Sequence, residues 1–320
     1  MLSVVLSFRN EAEVIPELLR RLSGVLAAIG GESEIIFVND ASTDGSLPLL
    51  ADAARTDPRL RVITMSRRFG PAECALAGLE FSRGDAVILM DADLQDPPEL
   101  IPTLVARWRE GADVVYTVRT RRRGEPAAKM LLMRAAYRLL HRLSGGGLPV
   151  EAGDFRLMSR RVVDQLVALR EREPYLRGLA AWVGFRQVAV PYERQARYAG
   201  RTHFPLFGSW NPARTFFAGL TSFSVAPLAV FLPIGVAVLL AAGTAAAAVL
   251  IVPGWRAAAS APLMIGLAVG VLAGIQIAGI GILGLYIARI HADVRARPRY
   301  IVDSVIGTSP ADVLPGPERT

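Results

Sequence analysis

The chain has 320 residues, 52% of them hydrophobic, and 36 lysines and arginines against 29 acids give a formal charge of +7. Its mean hydropathy of +0.35 exceeds what one soluble domain needs, while a single cysteine, Cys74, excludes an internal disulfide and a cysteine-based metal cluster. The three histidines, His141, His203 and His291, are too scattered for a zinc site; no recognition motif accompanies the basic charge, so the expected partner is an anionic membrane surface and not nucleic acid.

The first 120 or so residues alternate apolar strands with amphipathic helices. Met1-Leu2-Ser3-Val4-Val5-Leu6 lacks a basic leader and is too short for a signal peptide, so Ser3–Phe8 reads as the first strand. Glu13–Ile29 carries leucines at helical spacing, Glu34–Asn39 is a strand, and Asp40-Ala41-Ser42-Thr43-Asp44-Gly45 is a turn before a helix near Ser46–Arg55. Strand Arg61–Met65, helix Pro71–Ser82, strand Ala86–Met90, a helix from Pro97 to about Glu110 and strand Asp113–Val118 follow. Such alternation predicts an α/β fold with a mainly parallel sheet and helices on both faces. No Gly-x-Gly-x-x-Gly follows the first strand and no Gly-x-x-x-x-Gly-Lys-Ser/Thr occurs, which disfavours a dinucleotide dehydrogenase and excludes a P-loop.

The most informative segment is Asp91-Ala92-Asp93-Leu94-Gln95-Asp96-Pro97-Pro98-Glu99. It follows Ala86-Val87-Ile88-Leu89-Met90, which reads as a fully buried parallel strand, and the carboxyl ends of such strands are where open α/β sheets bind ligands. Two carboxylates one residue apart repel each other unless a cation joins them, and hard oxygen donors suit Mg²⁺ or Mn²⁺ carrying a diphosphate. Asp96, Pro97 and Glu99 have the spacing of a helix capping box, which leaves Asp91 and Asp93 for chemistry. Asn10-Glu11 and Asp40 come from other strand ends to the same edge.

After Val118 the pattern breaks at Arg121-Arg122-Arg123-Gly124-Glu125-Pro126. Lys129–Leu143 is amphipathic, with Arg134, Arg138 and Arg142 every fourth residue, and is expected to lie in a membrane interface. No charge occurs from Thr215 to Trp255 or from Ala257 to Ala288, and each run exceeds the roughly 20 residues that span a bilayer. Spans are placed near Ala226–Val252 and Pro262–Ala288, after an interfacial segment, Ser209–Phe223, holding Trp210, Phe216 and Phe217. Arg194, Arg197, Arg201 and Arg214 precede the spans and Arg289, Arg295, Arg297 and Arg299 follow them, while the turn between has only Arg256, so both ends are expected in the cytoplasm. The expected domains are a catalytic domain over 1–208 with an interfacial helix near 129–143, an interfacial segment over 209–224, a two-helix transmembrane hairpin over 225–288, and a partly disordered tail over 289–320, uninformative after Val302.

With these residues in view the chain resembles the family 2 glycosyltransferases with a GT-A (Rossmann-like) catalytic domain, and within them the bacterial polyprenyl-phosphate glycosyltransferases related to dolichol-phosphate mannose synthase. The resemblance rests on Val38-Asn39-Asp40-Ala41-Ser42-Thr43-Asp44-Gly45, Ser66-Arg67-Arg68-Phe69-Gly70, the acidic segment with its Gln-Asp-Pro-Pro-Glu ending, Ala152-Gly153-Asp154-Phe155-Arg156-Leu157-Met158-Ser159, and Arg177-Gly178-Leu179-Ala180-Ala181-Trp182-Val183-Gly184-Phe185. It implies an inverting transfer of a sugar from a UDP-sugar, UDP-glucose for example, to undecaprenyl phosphate at the bacterial inner membrane. By resemblance Asp91, Asp93 and Asp154 are catalytic; Asp91, Asp93 and Gln95 hold Mg²⁺ or Mn²⁺; Ser7, Glu11, Asp40, Arg67 and Asp91 bind the donor. Arg119, Arg134, Arg156, Arg197, Arg201 and His203 face the acceptor phosphate. A flippase partner and a homotetramer are compatible with the same resemblance.

One segment departs from the family pattern: in Arg197-Tyr198-Ala199-Gly200-Arg201-Thr202-His203 the usual Glu is Arg201 and the usual Lys is His203, which is cationic only near pH 6.5 and below. Asn39, Ala41 and Arg9 also depart from it. A processive polysaccharide synthase is disfavoured, because its Gln-x-x-Arg-Trp motif is missing before Trp182 and two spans are few for a channel. A catalytically silent membrane scaffold is disfavoured by the intact Asp91, Asp93 and Gln95.

Overall fold

The computed structural model describes residues 1–121, 152–169, 175–193, 261–295 and 297–307, with isolated helical positions between 233 and 244. The chain divides into two compact units, Met1–Ala213 with Arg297–Thr320, and Arg214–Ala296.

The first unit is built on an eight-stranded sheet. Its strands are β1 (Leu2–Phe8), β2 (Ser33–Asn39), β3 (Leu60–Met65), β4 (Ala86–Asp91), β5 (Val114–Arg121), β6 (Ala152–Ser159), β7 (Gln187–Glu193) and β8 (Val302–Ile306). They lie in the order β7-β5-β6-β4-β1-β2-β3-β8. The helices around them are α1 (Ile15–Ile29), α2 (Ser46–Thr56), α3 (Pro71–Phe81), α4 (Ile101–Arg109), α5 (Arg160–Ala168) and α6 (Leu176–Trp182). Strands β1 to β4 pair in parallel, and their runs of Val, Ile and Leu are buried on both faces, as crossover helices require. Helix α1 buries Leu18, Leu22 and Leu26, one stripe at a four-residue spacing. Helix α3 carries the small residues Cys74, Ala75, Ala77 and Gly78 among its buried positions and lies close to the sheet: a Cβ on Gly78 would stand 2.2 Å from Val5 Cγ1. Phe8 and Phe37 meet edge to face beneath the carboxyl ends of β1 and β2, with centroids 5.9 Å apart.

The chain order runs outward from β1 through β2 to β3 and then returns to place β4 on the other side of β1. That reversal opens a crevice at the carboxyl ends of β1 and β4, where Ser7 is the register partner of Asp91.

The sheet is less uniformly parallel than alternation implies. Strand β6 runs antiparallel between β4 and β5, and β8 runs antiparallel to β3 at the far edge. Val302–Ile306, at the start of the tail expected to be uninformative, is therefore an edge strand of this sheet, and the rest of that tail after Gly307 lies outside the described residues. Ser66 N donates to Ile301 O at 2.9 Å, Arg299 caps α5 by donating to Leu169 O at 2.7 Å, and the Tyr300 hydroxyl donates to Glu80 at 2.5 Å.

In the second unit α7 (Ala261–Val294) is one continuous helix, long and apolar enough over Val271–Ala288 to cross a bilayer. Among the described residues it is the one helix that meets this test; the other expected span, Ala226–Val252, lies outside them apart from the isolated positions. The expected interfacial segments 129–143 and 209–224 also lie outside the described residues.

Candidate active site

The loops after β1 and β2 are stitched together. Asn10 takes a left-handed conformation, φ 56°, that lets its amide N donate to Ser42 Oγ at 3.1 Å and its Oδ1 accept from Thr43 N at 2.8 Å. Glu11 N donates to Ser46 Oγ at 2.9 Å and Ala12 N to Asp44 at 3.1 Å. Burial pushes the Asp44 carboxyl up, but hydrogen bonds from Ser46 and Ala12 outweigh it and leave it below its ordinary value. Arg9 donates to the carbonyls of Asp40 and Ala41, at 2.7 and 3.1 Å, in a loop where Ala41 itself has φ 51°. Asp40 is buried, and its Oδ1 accepts the amides of Phe69 and Gly70 at 2.7 and 3.2 Å. Asp40 thus fixes the loop after β3, on which the Arg67 guanidinium lies 4.0 Å above the Phe69 ring. Ser7, Glu11, Asp40, Arg67 and Asp91, from four strand ends, share one edge of the sheet.

The acidic segment alternates. Ala92, Leu94, Asp96 and Pro98 are buried, whereas Asp91, Asp93 and Gln95 are half-exposed. Leu94 reaches inward from φ 57°, and Gln95 N donates to Asp93 Oδ1 at 3.1 Å. The outcome is that Asp91, Asp93 and Gln95 all keep exposed surface at the switch point of the sheet. Among the described residues no group of three His, Cys, Asp or Glu gathers as a self-sufficient metal cage. The donor set nonetheless fits Mg²⁺ or Mn²⁺, which are commonly held by one or two carboxylates while water and substrate phosphates complete the shell.

The capping box expected of Asp96 and Glu99 does not form. Pro97 occupies the cap of a 3₁₀ turn, Pro98–Leu100, that leads into α4, and no side chain caps it. Asp96, 0% exposed, instead accepts the Tyr192 hydroxyl of β7. Glu99 forms a two-pronged pair with Arg21 of α1, at 2.8 and 2.5 Å, which holds its carboxyl below the ordinary range against the opposing effect of burial.

On the β6 side, Asp154 forms a two-pronged pair with Arg177 at the start of α6, with Nε to Oδ1 at 2.6 Å. Arg156 is 3% exposed and donates to the carbonyls of Gly153, Asp154 and Leu176 at 2.9, 3.3 and 3.5 Å. Burial pulls its pKa down to about 10, opposed by the charge of Asp154. In this position Arg156 supports the backbone of Asp154 and α6 and does not present its guanidinium at a surface. Arg119 pairs in register with Tyr192 across β5 and β7. Arg134, Arg197, Arg201 and His203 lie outside the described residues. Cys74 is buried, and burial first, then Asp40 and Glu73, push its thiol up, so it is an inert packing residue.

Tyr192, Arg21 and the pairing role of Arg177 were not legible in the sequence. Val188, Val190 and Tyr192 do alternate as a strand would, and that was the available signal for β7.

The site is thus a paired-carboxylate loop at the switch point of a mainly parallel α/β sheet, the place where such sheets bind ligands. The glycosyl transferase family 2 model matches residues 3–167. Over 95% of this chain and 94% of its own length, an uncharacterized glycosyltransferase of Bacillus subtilis, YkcC, is 38% identical. A bactoprenol glucosyl transferase of Shigella phage SfX is 36% identical over 95% of this chain and 99% of its own. Among solved structures, glucosyl-3-phosphoglycerate synthase of Mycobacterium tuberculosis, in complex with Mn²⁺, UDP and glucosyl-3-phosphoglycerate, superposes with a TM-score of 0.52 at 21% identity, covering 69% of this chain and 79% of that one. The chain belongs to glycosyl transferase family 2; it is a glycosyltransferase with a GT-A fold.

Proposed function

We propose that this glycosyltransferase moves a sugar from a UDP-sugar to a polyprenyl phosphate at the cytoplasmic face of a bacterial inner membrane. The observation that carries the reading is the alternating acidic loop, which turns Asp91, Asp93 and Gln95 outward at the crevice beside Ser7. The name of the phage relative, bactoprenol glucosyl transferase, supports the acceptor class and glucose as a donor sugar; the Mn²⁺ and UDP held by the mycobacterial synthase support the donor class.

Asp91, Asp93 and Gln95 would hold Mg²⁺ or Mn²⁺ against the donor diphosphate. When bound, the cation supplies Lewis acidity to the departing UDP. Glu11, Asp40 and the Arg67 loop would receive the nucleoside. Arg119, at the end of β5, would orient the acceptor phosphate together with Arg134, Arg197, Arg201 and His203, since fork-shaped guanidinium donors suit phosphate oxygens. The attacking phosphate oxygen, with a second pKa of about 6, is already largely ionised at neutral pH, so no strong base is needed. Asp154, clasped by Arg177, then serves to orient groups. A single displacement inverts the anomeric centre.

Chain connectivity supports two spans. Strands β1 to β7 and β8 share one sheet, so any path through a bilayer between β7 and β8 crosses an even number of times. Helix α7, long and apolar enough to cross, would be one crossing, and the uncharged run from Thr215 to Trp255 would provide the other. The flanking arginines support a cytoplasmic sheet in this reading.

The test is a transfer assay on detergent-solubilised full-length protein with undecaprenyl phosphate, a panel of radiolabelled UDP-sugars and Mn²⁺, with EDTA as control. Metal-dependent labelling of the lipid by one donor is expected. Binding of UDP with metal but no transfer from any donor would refute the reading and favour a silent membrane partner.

A further inference from the structure

The acidic segment ends on a bond that a local folding argument does not require. Asp96 follows β4, and Tyr192 lies on β7, with β6 and β5 between those strands in the sheet and 96 residues between them in the chain. Asp96 is fully buried and Tyr192 nearly so. The Tyr192 ring meets Phe155 edge to face, with centroids 6.4 Å apart. Phe155 in turn accepts the Thr117 hydroxyl of β5 at its carbonyl, 2.9 Å away. The tyrosine that reaches Asp96 is therefore packed against the Phe155 ring of β6, whose backbone Thr117 of β5 secures.

We infer that Tyr192 is a positioning residue for metal–diphosphate binding, holding the Asp91–Gln95 loop through Asp96; the inference deepens the donor reading above and rests on it. The loop is anchored at its start by β4 and in its middle by the buried Leu94. Its end, directly after Gln95, is fixed by Asp96, which has no exposed surface with which to touch a ligand. Tyr192 is also the register partner of Arg119. One side chain thus links the loop that receives the donor diphosphate to the strand carrying an acceptor-side arginine. A pair that served only to satisfy two buried polar groups would affect folding alone. A positioning pair also sets the geometry of the outward-facing Asp93 and Gln95, and the two roles separate in a binding measurement.

The experiment uses full-length detergent-solubilised protein and three variants: Tyr192→Phe, Asp96→Asn, and the two combined. Titrations of Mn²⁺ with UDP, followed by Mn²⁺ electron paramagnetic resonance, are compared with UDP binding in EDTA and with the thermal unfolding midpoint without metal. Tyr192→Phe is expected to weaken Mn²⁺·UDP binding about five- to tenfold, the scale of one lost hydrogen bond of ordinary strength, with metal-free UDP binding unchanged. Asp96→Asn keeps an acceptor for the hydroxyl and should stay within about twofold of the wild type, as a retained neutral bond allows. The combined variant has no buried carboxylate to strand, so it folds even if Tyr192→Phe does not, and it should show the same loss of Mn²⁺·UDP affinity. Wild-type affinity in both Tyr192→Phe and the combined variant would overturn the inference while leaving the donor reading intact. So would equal losses with and without metal, which mark a general folding defect. A wild-type protein that takes no Mn²⁺ with UDP would overturn the donor reading and this inference with it.

Discussion

Replacing Arg156 with methionine separates a residue kept for folding from one kept for function. A guanidinium pulled by burial from its ordinary value down to about 10 holds its charge at a cost on the order of 3 kcal/mol. Its compensation is one well-formed bond, to Gly153 O at 2.9 Å, and two long ones at 3.3 and 3.5 Å. A good bond from a charged donor contributes roughly 1.5–3 kcal/mol and bonds beyond about 3.2 Å much less, so the two sides nearly cancel. Methionine has similar reach and no charge, and it removes both sides together. Unfolding by denaturant, followed by circular dichroism, should shift by no more than about 1.5 kcal/mol in either direction. Turnover should fall by about tenfold or more, because the Gly153–Asp154 backbone and the start of α6 lose their common support and small misplacements near reacting groups are costly. Michaelis constants for donor and acceptor should change little, since the guanidinium is buried. A stability loss above about 3 kcal/mol would refute the energy balance, and a raised acceptor constant with unchanged turnover would refute the buried supporting role.

Asp93→Asn should lower turnover by about a hundredfold or more, the usual scale for removing a charge-stabilising group, without affecting membrane insertion; a radiometric transfer assay and a flotation assay check the two parts. Gly307→Ala should detach the end of β8, since Gly307 has φ +87° and a Cβ there would stand 2.1 Å from Leu60 O. A loss of about 2 kcal/mol or more is expected from left-handed strain plus the backbone clash, read from the denaturation midpoint. Asp113, through the paired Arg161 guanidinium, and Glu99, through Arg21, both have carboxyl pKa values held below their ordinary ones in the fold. Depressed folded values give stability that is present above the unfolded values, about 3.9 and 4.3, and is lost as pH falls through and below them. The melting midpoint should therefore fall below about pH 4, and Asp113→Asn should blunt that fall.

The parallel half of the sheet was legible because each of its strands carries its own signal. Ala86–Met90, for instance, is an unbroken apolar run bounded by Gly84-Asp85 and by the acidic segment. Strands β6 and β8 lack such a signal. Gly153-Asp154-Phe155-Arg156 places a charge at a buried position that only the surrounding carbonyls make tolerable. Val302-Asp303-Ser304-Val305-Ile306 is a strand because β3 offers it an open edge to pair with. Both depend on contacts distant in the chain, which period and propensity cannot report.

The same limit divides the acidic segment. By composition Asp91, Asp93, Asp96 and Glu99 are equivalent, and by spacing the last two fit a helix cap. Their fates are decided 78 residues upstream by Arg21 and 96 residues downstream by Tyr192. Both remote partners are donors and each holds one of the trailing carboxylates: Arg21 offsets the charge of Glu99, and Tyr192 keeps Asp96 buried away from the sheet edge. Asp91 and Asp93, half-exposed at the strand end, are then the pair whose charge a divalent cation would balance. On the proposed reading the segment is an anchored loop, in which the trailing acids would hold the geometry that the leading acids use.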